Sequence, residues 1–442
     1  MMGHRQVEQA ALFYEFSLER HIPADHLVRS IDRFVDLEDL RRELAPFYSN
    51  IGRPSIDPEL MIRMLLIGYC FGIRSERRLC DEVHLNLAYR WFCRLGLDGG
   101  VPDHSTFSKN RHGRFRESDL FRRVFETVLR RCIRERLIGG EGFAVDASLI
   151  KADANRQKGI EGDKRLPPEA AGRAIDEYLA VLDDAAFGAA TEVTPKFVSP
   201  SDPAARWTGA HGGQAFFAYS TNYLVDVENA IIVDVEEVLA AKRMIERSIE
   251  RFDLYPSRLL GDSAYGSAEM LGWLVYEHGI EPHVTVFDKS ARTDGTFSRE
   301  AFTYDHTRDV YRCPAGKPLT TTGTLVNNDT TVLYRASKRD CQACSLRSRC
   351  CPNTPARKVP RSIYEGARDM AREIASSWEG RTSRRLRKKI EMLFAHLKRI
   401  LKLDRLRLRG PNGARDEFTL AAAAQNLRKM AKLIPMPALT PA

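Results

Sequence analysis

Three carboxylates in this chain sit where a carboxylate is costly or conspicuous, and together they have the composition of a divalent-cation site. Glu391 lies in a segment, Arg381 to Arg409, that carries twelve Lys or Arg against two acids, a local charge of +10. The whole chain carries +9, so the remainder holds 56 basic against 57 acidic residues and the basicity is confined to this block. Such a block faces a polyanion, and nucleic acid is the polyanion it suits. In GFAVDAS, alternation puts Phe143 and Val145 on one strand face and Ala144 with Asp146 on the other. A lone carboxylate on a half-buried strand is costly unless paired or bound to a metal. Asp262 closes the apolar run of RLLGDSAYGS, at the carboxyl edge of a strand where α/β sheets place their sites.

Acids on two strands and a cationic helix suit phosphoryl transfer on DNA. Two divalent ions about 3.5–4 Å apart can activate an attacking oxygen and stabilise a departing one. Mg2+ takes oxygen ligands and keeps several waters, so a few carboxylates suffice. Each acid also has a plainer reading. Glu391 would pair with Arg387 one turn earlier, an interaction worth only about 0.3–0.5 kcal/mol. Asp146 and Asp262 would be turn-forming or capping residues. Asp153, Asp226 and Asp234 are weaker alternatives.

The element carrying Glu391 is a helix, because Leu386, Ile390, Leu393, Phe394, Leu397, Ile400 and Leu401 recur every three or four residues as one apolar stripe. At about 100° per residue, Arg387, Glu391, Lys398 and Lys402 fall along one edge of it. Residues 1–137 read as an all-α domain, with Pro58 after Asp57 as a helix start. Gly72 and Ser75 punctuate two helices in the manner of a helix-turn-helix, or of a helical hairpin packing for its own sake. After Gly139-Gly140 the texture changes to strands, with Asn229-Ala230 as a hairpin connection, and then to alternating helix and strand.

The organisation expected is therefore α/β, with an all-α domain over 1–137 and a core over 138–287 holding a polar insertion at about 151–208. A small Cys-containing β-type insertion over 288–378, core helices over 379–434 and a frayed tail over 435–442 follow. In the insertion, Cys313, Cys341-x2-Cys344 and Cys350 could supply four thiolates to a tetrahedral structural Zn2+; otherwise they are reduced thiols. Cys70, Cys80, Cys93 and Cys132 fall in helical patterns as core residues. No segment reads as a signal peptide or membrane span, so a cytoplasmic, soluble protein without a membrane partner is expected.

The order of VDAS, LLGDSAYG and R-x3-E-x6-K, the last being Arg387, Glu391 and Lys398, resembles the D-D-E core of bacterial insertion-sequence transposases with an RNase H-like fold. The resemblance runs from PDHSTFSKNRHGRF in the first domain to the final Q-N-L-R-K helix, and it is the order and spacing of the motifs that is specific. It implies an RNase H-like mixed sheet with flanking helices, and Asp146, Asp262 and Glu391 as ligands of Mg2+, with Mn2+ as a substitute. It implies that Arg387 and Lys398 contact transposon-end DNA; Arg384 and Lys402 of the basic block are further candidate DNA-binding residues. The related signature often has Tyr three residues before the Arg, where this chain has Arg384, and Y-N-x-Q where it has Tyr219-Ser220-Thr221-Asn222.

The expected activity is DNA strand cleavage at terminal inverted repeats followed by strand transfer. Double-stranded DNA at the ends and the target would be partners, with a dimer or higher oligomer at synapsis and nucleoid association through DNA. A catalytically inactive DNA-binding remnant or regulator, and a nuclease that cuts without joining, are the alternatives.

Overall fold

The structure of the chain is a computed structural model, describing residues 15–49, 51–52, 55–113, 115, 118–162, 164, 166–167, 172–178, 195–210, 213–236, 241–287 and 294–436. The N-terminal region is helical: α1 (Leu18–His21), α2 (Leu27–Asp32), α3 (Leu40–Leu44), α4 (Pro58–Phe71), α5 (Glu76–Leu85), α6 (Leu87–Phe92), α7 (His104–His112) and α8 (Leu120–Arg134). Asp57 caps α4 by accepting from the Glu59 amide at 3.0 Å, and Gly72 ends it in the left-handed region, φ 69°. Ser75 then caps α5. Met61 through Cys70 are all buried, so α4 is a core helix with no free face. Arg63 survives inside that run because Asp32 and Glu59 each reach it at 2.8 Å. Of the two helices flanking Gly72, only α5, with exposed Arg77 and Arg78, has a solvent face. Cys70, Cys80, Cys93 and Cys132 are buried as expected.

The central sheet comprises β1 (Gly142–Lys151), β2 (Arg206–Ala210), β3 (Gly213–Asp226), β4 (Ile232–Glu236), β5 (Arg258–Gly261) and β6 (Glu281–Val284). β3 pairs antiparallel with β1, while β2 and β4 share its other side, one at its start and one at its end. β1, β5 and β6 are mutually parallel. Antiparallel strands passing into parallel ones, with helices α9 (Ala241–Phe252) and α10 (Ala268–Gly272) between the later strands, make the fold RNase H-like. The β3–β4 hairpin turns at Asn229-Ala230, with Ala230 at φ 55°. Asp226 accepts from the Asn229 amide at 2.9 Å and the Gly139 amide at 3.2 Å.

A second sheet follows: β7 (Thr303–Asp305), β8 (Val310–Arg312), β9 (Pro318–Thr320), β10 (Leu325–Val326), β11 (Thr331–Ala336) and β12 (Lys358–Ser362). Short helices α11 (Lys338–Gln342) and α12 (Arg347–Cys350) lie between β11 and β12. This unit has a small core of its own, in which Phe302, Tyr311, Leu319, Tyr334 and Val359 pack with three buried cysteines. The chain then returns to the first core through α13 (Glu365–Ser376), α14 (Trp378–Arg399) and α15 (Pro411–Leu433). Leu420 to Ala424 are fully buried in α15, whose small side chains let α4 and α8 pack close. The Asn426 side chain bonds both the amide and the carbonyl of Ile232 at 2.8 Å, closing the edge of β4. Part of the expected polar insertion, including 179–194, lies outside the described residues, as do 437–442 of the expected tail.

Candidate active site

The position of Glu391 follows from how α14 crosses the sheet. Ser377 caps the helix, its hydroxyl accepting from the Gly380 amide at 3.1 Å. One turn on, the Ser383 hydroxyl meets Nδ1 of His283 on β6 at 2.7 Å, in a buried contact. Another turn on, Arg387 donates to the carbonyl of Gly261, the last residue of β5, at 3.4 Å. Farther along, the Phe394 ring packs on Tyr223 of β3, centroids 5.5 Å apart. Successive turns therefore walk across β6, β5 and β3, which leaves the Glu391 turn over β1. There Asp146 stands opposite Tyr223 in the β1–β3 register, and Asp262 follows Gly261 directly. Ile390, Leu393 and Leu397 hold the helix down as the apolar stripe requires.

Burial pushes the Asp146 carboxyl above its ordinary value, and repulsion from Asp262 and Glu391 adds to that. The Ala147 amide, at 2.8 Å, and the charge of Arg387 oppose the shift. Asp146 thus lies within electrostatic reach of both Asp262 and Glu391. Asp262 accepts from the Ala264 amide at 2.9 Å, so one oxygen does cap the turn and the other is left for a ligand. Among the described residues none of the three acids has a salt-bridge partner. That overturns the plainer expectation for Glu391: Arg387 turns toward Gly261 instead. An Arg placed N-terminal to a Glu is the weaker orientation on a helix, so little is lost.

The weaker alternatives are all satisfied elsewhere. Asp153 pairs with Arg405 at 2.9 Å and Arg409 at 3.1 Å. Asp234 is buried between Arg122 and Arg247, and Asp226 binds its own hairpin amides. Tyr265 is a site neighbour that sequence reasoning passed over. Its hydroxyl donates to Asn222 on β3 at 2.9 Å, and its phenol is pushed up by burial and by the charges of Asp146 and Asp262. The only sequence signal was its place in the SAYG turn.

The cations divide. Arg387 is half-buried beside the acids, and Lys398 is half-buried with its ammonium pushed down by burial. Arg384 is exposed but donates to the Ala375 carbonyl at 2.9 Å, fixing the α13–α14 corner. Lys402 does not share the helix edge, because α14 ends at Arg399 and Lys402 takes a left-handed conformation, φ 55°. The expected place of Ile400 in the buried stripe fails for the same reason; it is 48% exposed.

Three carboxylates without salt-bridge partners in a cationic frame are the right donor chemistry for a hard divalent cation. Among the described residues, no three Asp, Glu, His or Cys side chains are closed up as ligands around one point. In the second sheet, Cys313, Cys341, Cys344 and Cys350 line one cavity, joined by Cys351. The Lys317 amide donates to Cys313 Sγ at 3.3 Å.

Two family models match the chain: a transposase domain (DUF772) over residues 16–113 and a transposase DDE domain over residues 312–431. The latter spans α14 and Glu391. Among solved structures, the chain is similar to a piggyBac transposase in a synaptic complex with hairpin DNA, at 10% identity and a TM-score of 0.31, covering 92% of this chain and 73% of that one. That likeness is too distant to argue from. Among the described residues no helix is long and apolar enough to cross a membrane.

Proposed function

Because this chain belongs to the insertion-sequence DDE transposases, we propose that it cleaves DNA at the ends of its own element and joins the freed 3′ ends to target DNA through Asp146, Asp262 and Glu391. The observation that carries this reading is the contrast among the acids. Asp153 and Asp234 are paired with arginines and Asp226 is hydrogen-bonded by turn amides, while Asp146, Asp262 and Glu391 have no salt bridge among the described residues. Asp146 is moreover held at an electrostatic cost, which a bound cation would relieve. Mg2+, or Mn2+ in its place, held by these three carboxylates would supply activation of the attacking oxygen and stabilisation of the leaving one. Arg387 keeps α14 registered on β5 while its charge faces the acids, and Lys398 lies farther along the same helix to meet backbone phosphate. Arg384 and Lys402 would contribute cationic surface at the two ends of the helix. Synapsis of two ends calls for a dimer or larger assembly.

The test is strand cleavage and joining on DNA from both flanks of the gene, with Mg2+ or EDTA. Metal-dependent nicks at the ends with joined products are expected, and Glu391→Gln or Asp146→Asn should lower them at least about 10³-fold while end binding persists. Nicking without joining would favour a nuclease, and binding without metal-dependent cutting would favour a regulator. Retained cleavage in Asp146→Asn would remove that residue from the site.

For the second sheet we propose one structural Zn2+ on Cys313, Cys341, Cys344 and Cys350, with Cys351 alongside. Its small core gives the reason, since units of this size commonly need a staple. Elemental analysis should find about one zinc per chain, lost in Cys344→Ser; metal-free protein with an unchanged unfolding profile would refute it.

A further inference from the structure

The outward face of α14 carries something that a phosphate-gripping helix does not need. At about 100° per residue, Trp378, Arg381, Arg385, Lys389, Met392 and Arg399 share one face, turned away from buried Ile390 and Leu397. Trp378 and Met392 are each 70% exposed, whereas Trp91, Trp207 and Trp273 are buried or half-buried. The four cations are exposed, and among the described residues none has a carboxylate partner. Glu379, the acid in the first turn, projects about 100° away from Trp378.

Cations alone would hold a sugar-phosphate backbone. A duplex offers a protein only base edges in its grooves. A flat indole aligned with cations gains a stacking partner where bases are unpaired. A second copy of the chain is a poor occupant, because a two-fold contact through this face would set like charges against one another. We propose that this face binds single-stranded DNA, with Trp378 stacking on a nucleobase and Arg381, Arg385, Lys389 and Arg399 holding phosphates. Trp378 lies about 20 Å along the helix axis from Glu391, and Glu391 projects from a different side of the helix than this face. The proposal rests on DNA being the partner in the function proposed above, but not on cleavage.

The test uses the full chain in EDTA, so that no strand is cut, titrated with labelled oligothymidine and with a fully paired duplex across a salt series. Trp378→Ala should weaken oligothymidine binding about 5- to 150-fold, with the salt slope and duplex affinity unchanged; Trp378→Phe should keep most of the affinity. Arg385→Gln should instead lower the salt slope for oligothymidine. Because Trp378 is exposed, an unchanged melting curve should accompany each loss. Equal losses on both DNAs, or none on oligothymidine, would overturn the proposal. So would a fall in sedimenting mass on Trp378→Ala, which would give the face to a subunit contact. A protein binding neither DNA would lose the DNA-partner reading as well. An inactive cleavage site leaves this measurement untouched.

Discussion

Asp202 is a buried acid outside the site, and its surroundings make it sensitive to pH. It receives the Tyr219 hydroxyl from β3 and, at 3.2 Å, the Gly410 amide that precedes α15, so it ties the return of the polar insertion to two core elements. Burial pushes its carboxyl up to about 6, with Asp153 adding to the shift and Tyr219, Gly410 and Arg409 opposing it. A folded-state value above the unfolded one means that the protonated form is favoured by folding. That contribution is complete below about pH 4 and is lost as pH rises through about 6. The expected result is that across this window the parent loses on the order of 2–3 kcal/mol relative to Asp202→Asn. Urea unfolding at several pH values reads the difference, and parallel curves for the two proteins would refute it. At this scale the sequence could propose acids but not rank them. Asp146, Asp226 and Asp234 all lie in strands, and only the packed structure reveals that Arg122 and Arg247 reach Asp234, that turn amides reach Asp226, and that Asp146 has no salt-bridge partner among the described residues.

At the scale of elements, the site depends on the angle at which α14 leaves α13. The helix and most of its stripe were legible, since apolar spacing reports on local structure. Its end was not: the apolar period continues through Ile400 and Leu401 although the helix stops at Arg399, because Leu401 is buried from the following turn. That extrapolation misplaced Lys402. The corner between the helices was equally hidden, because it rests on a contact that leaves no pattern. A Cβ on Gly380 would stand 2.1 Å from the Ile374 carbonyl oxygen, so Ala cannot be fitted unless α14 shifts. Gly380→Ala should destabilise the protein by about 1–3 kcal/mol. It should also lower metal-dependent cleavage more than DNA binding, because Glu391 moves with the helix while the exposed cations still find phosphate. Thermal unfolding together with the two assays decides it; an unchanged melting temperature would mean that the corner is set by the Ser383–His283 contact instead.

Over the whole molecule, the distribution of charge separates structure from function. Several arginines outside α14 are used in folding: Arg63 pairs with Asp32, Arg74 with buried Glu417, and Arg122 and Arg247 with buried Asp234. From Arg381 to Lys402 no cation has a carboxylate partner among the described residues; the segment's ion pairs begin at Arg405. The formal charge of +10 over Arg381 to Arg409 therefore remains mostly available to a polyanion, and Lys429 and Lys432 of α15 extend the field beside His396. If about six of these cations meet phosphates, log Kd should rise with log salt concentration at a slope of about 5. Arg385→Gln, Lys388→Gln and Lys389→Gln should each reduce that slope by about 1 with little change in stability. Arg63→Gln should do the reverse, costing about 3 kcal/mol or more by leaving Asp32 and Glu59 without their buried partner while leaving the slope intact. Binding isotherms across a salt series make the comparison directly. A shallow slope, or one insensitive to the α14 substitutions, would mean that DNA is held elsewhere and that the helix bearing Glu391 does not track the backbone.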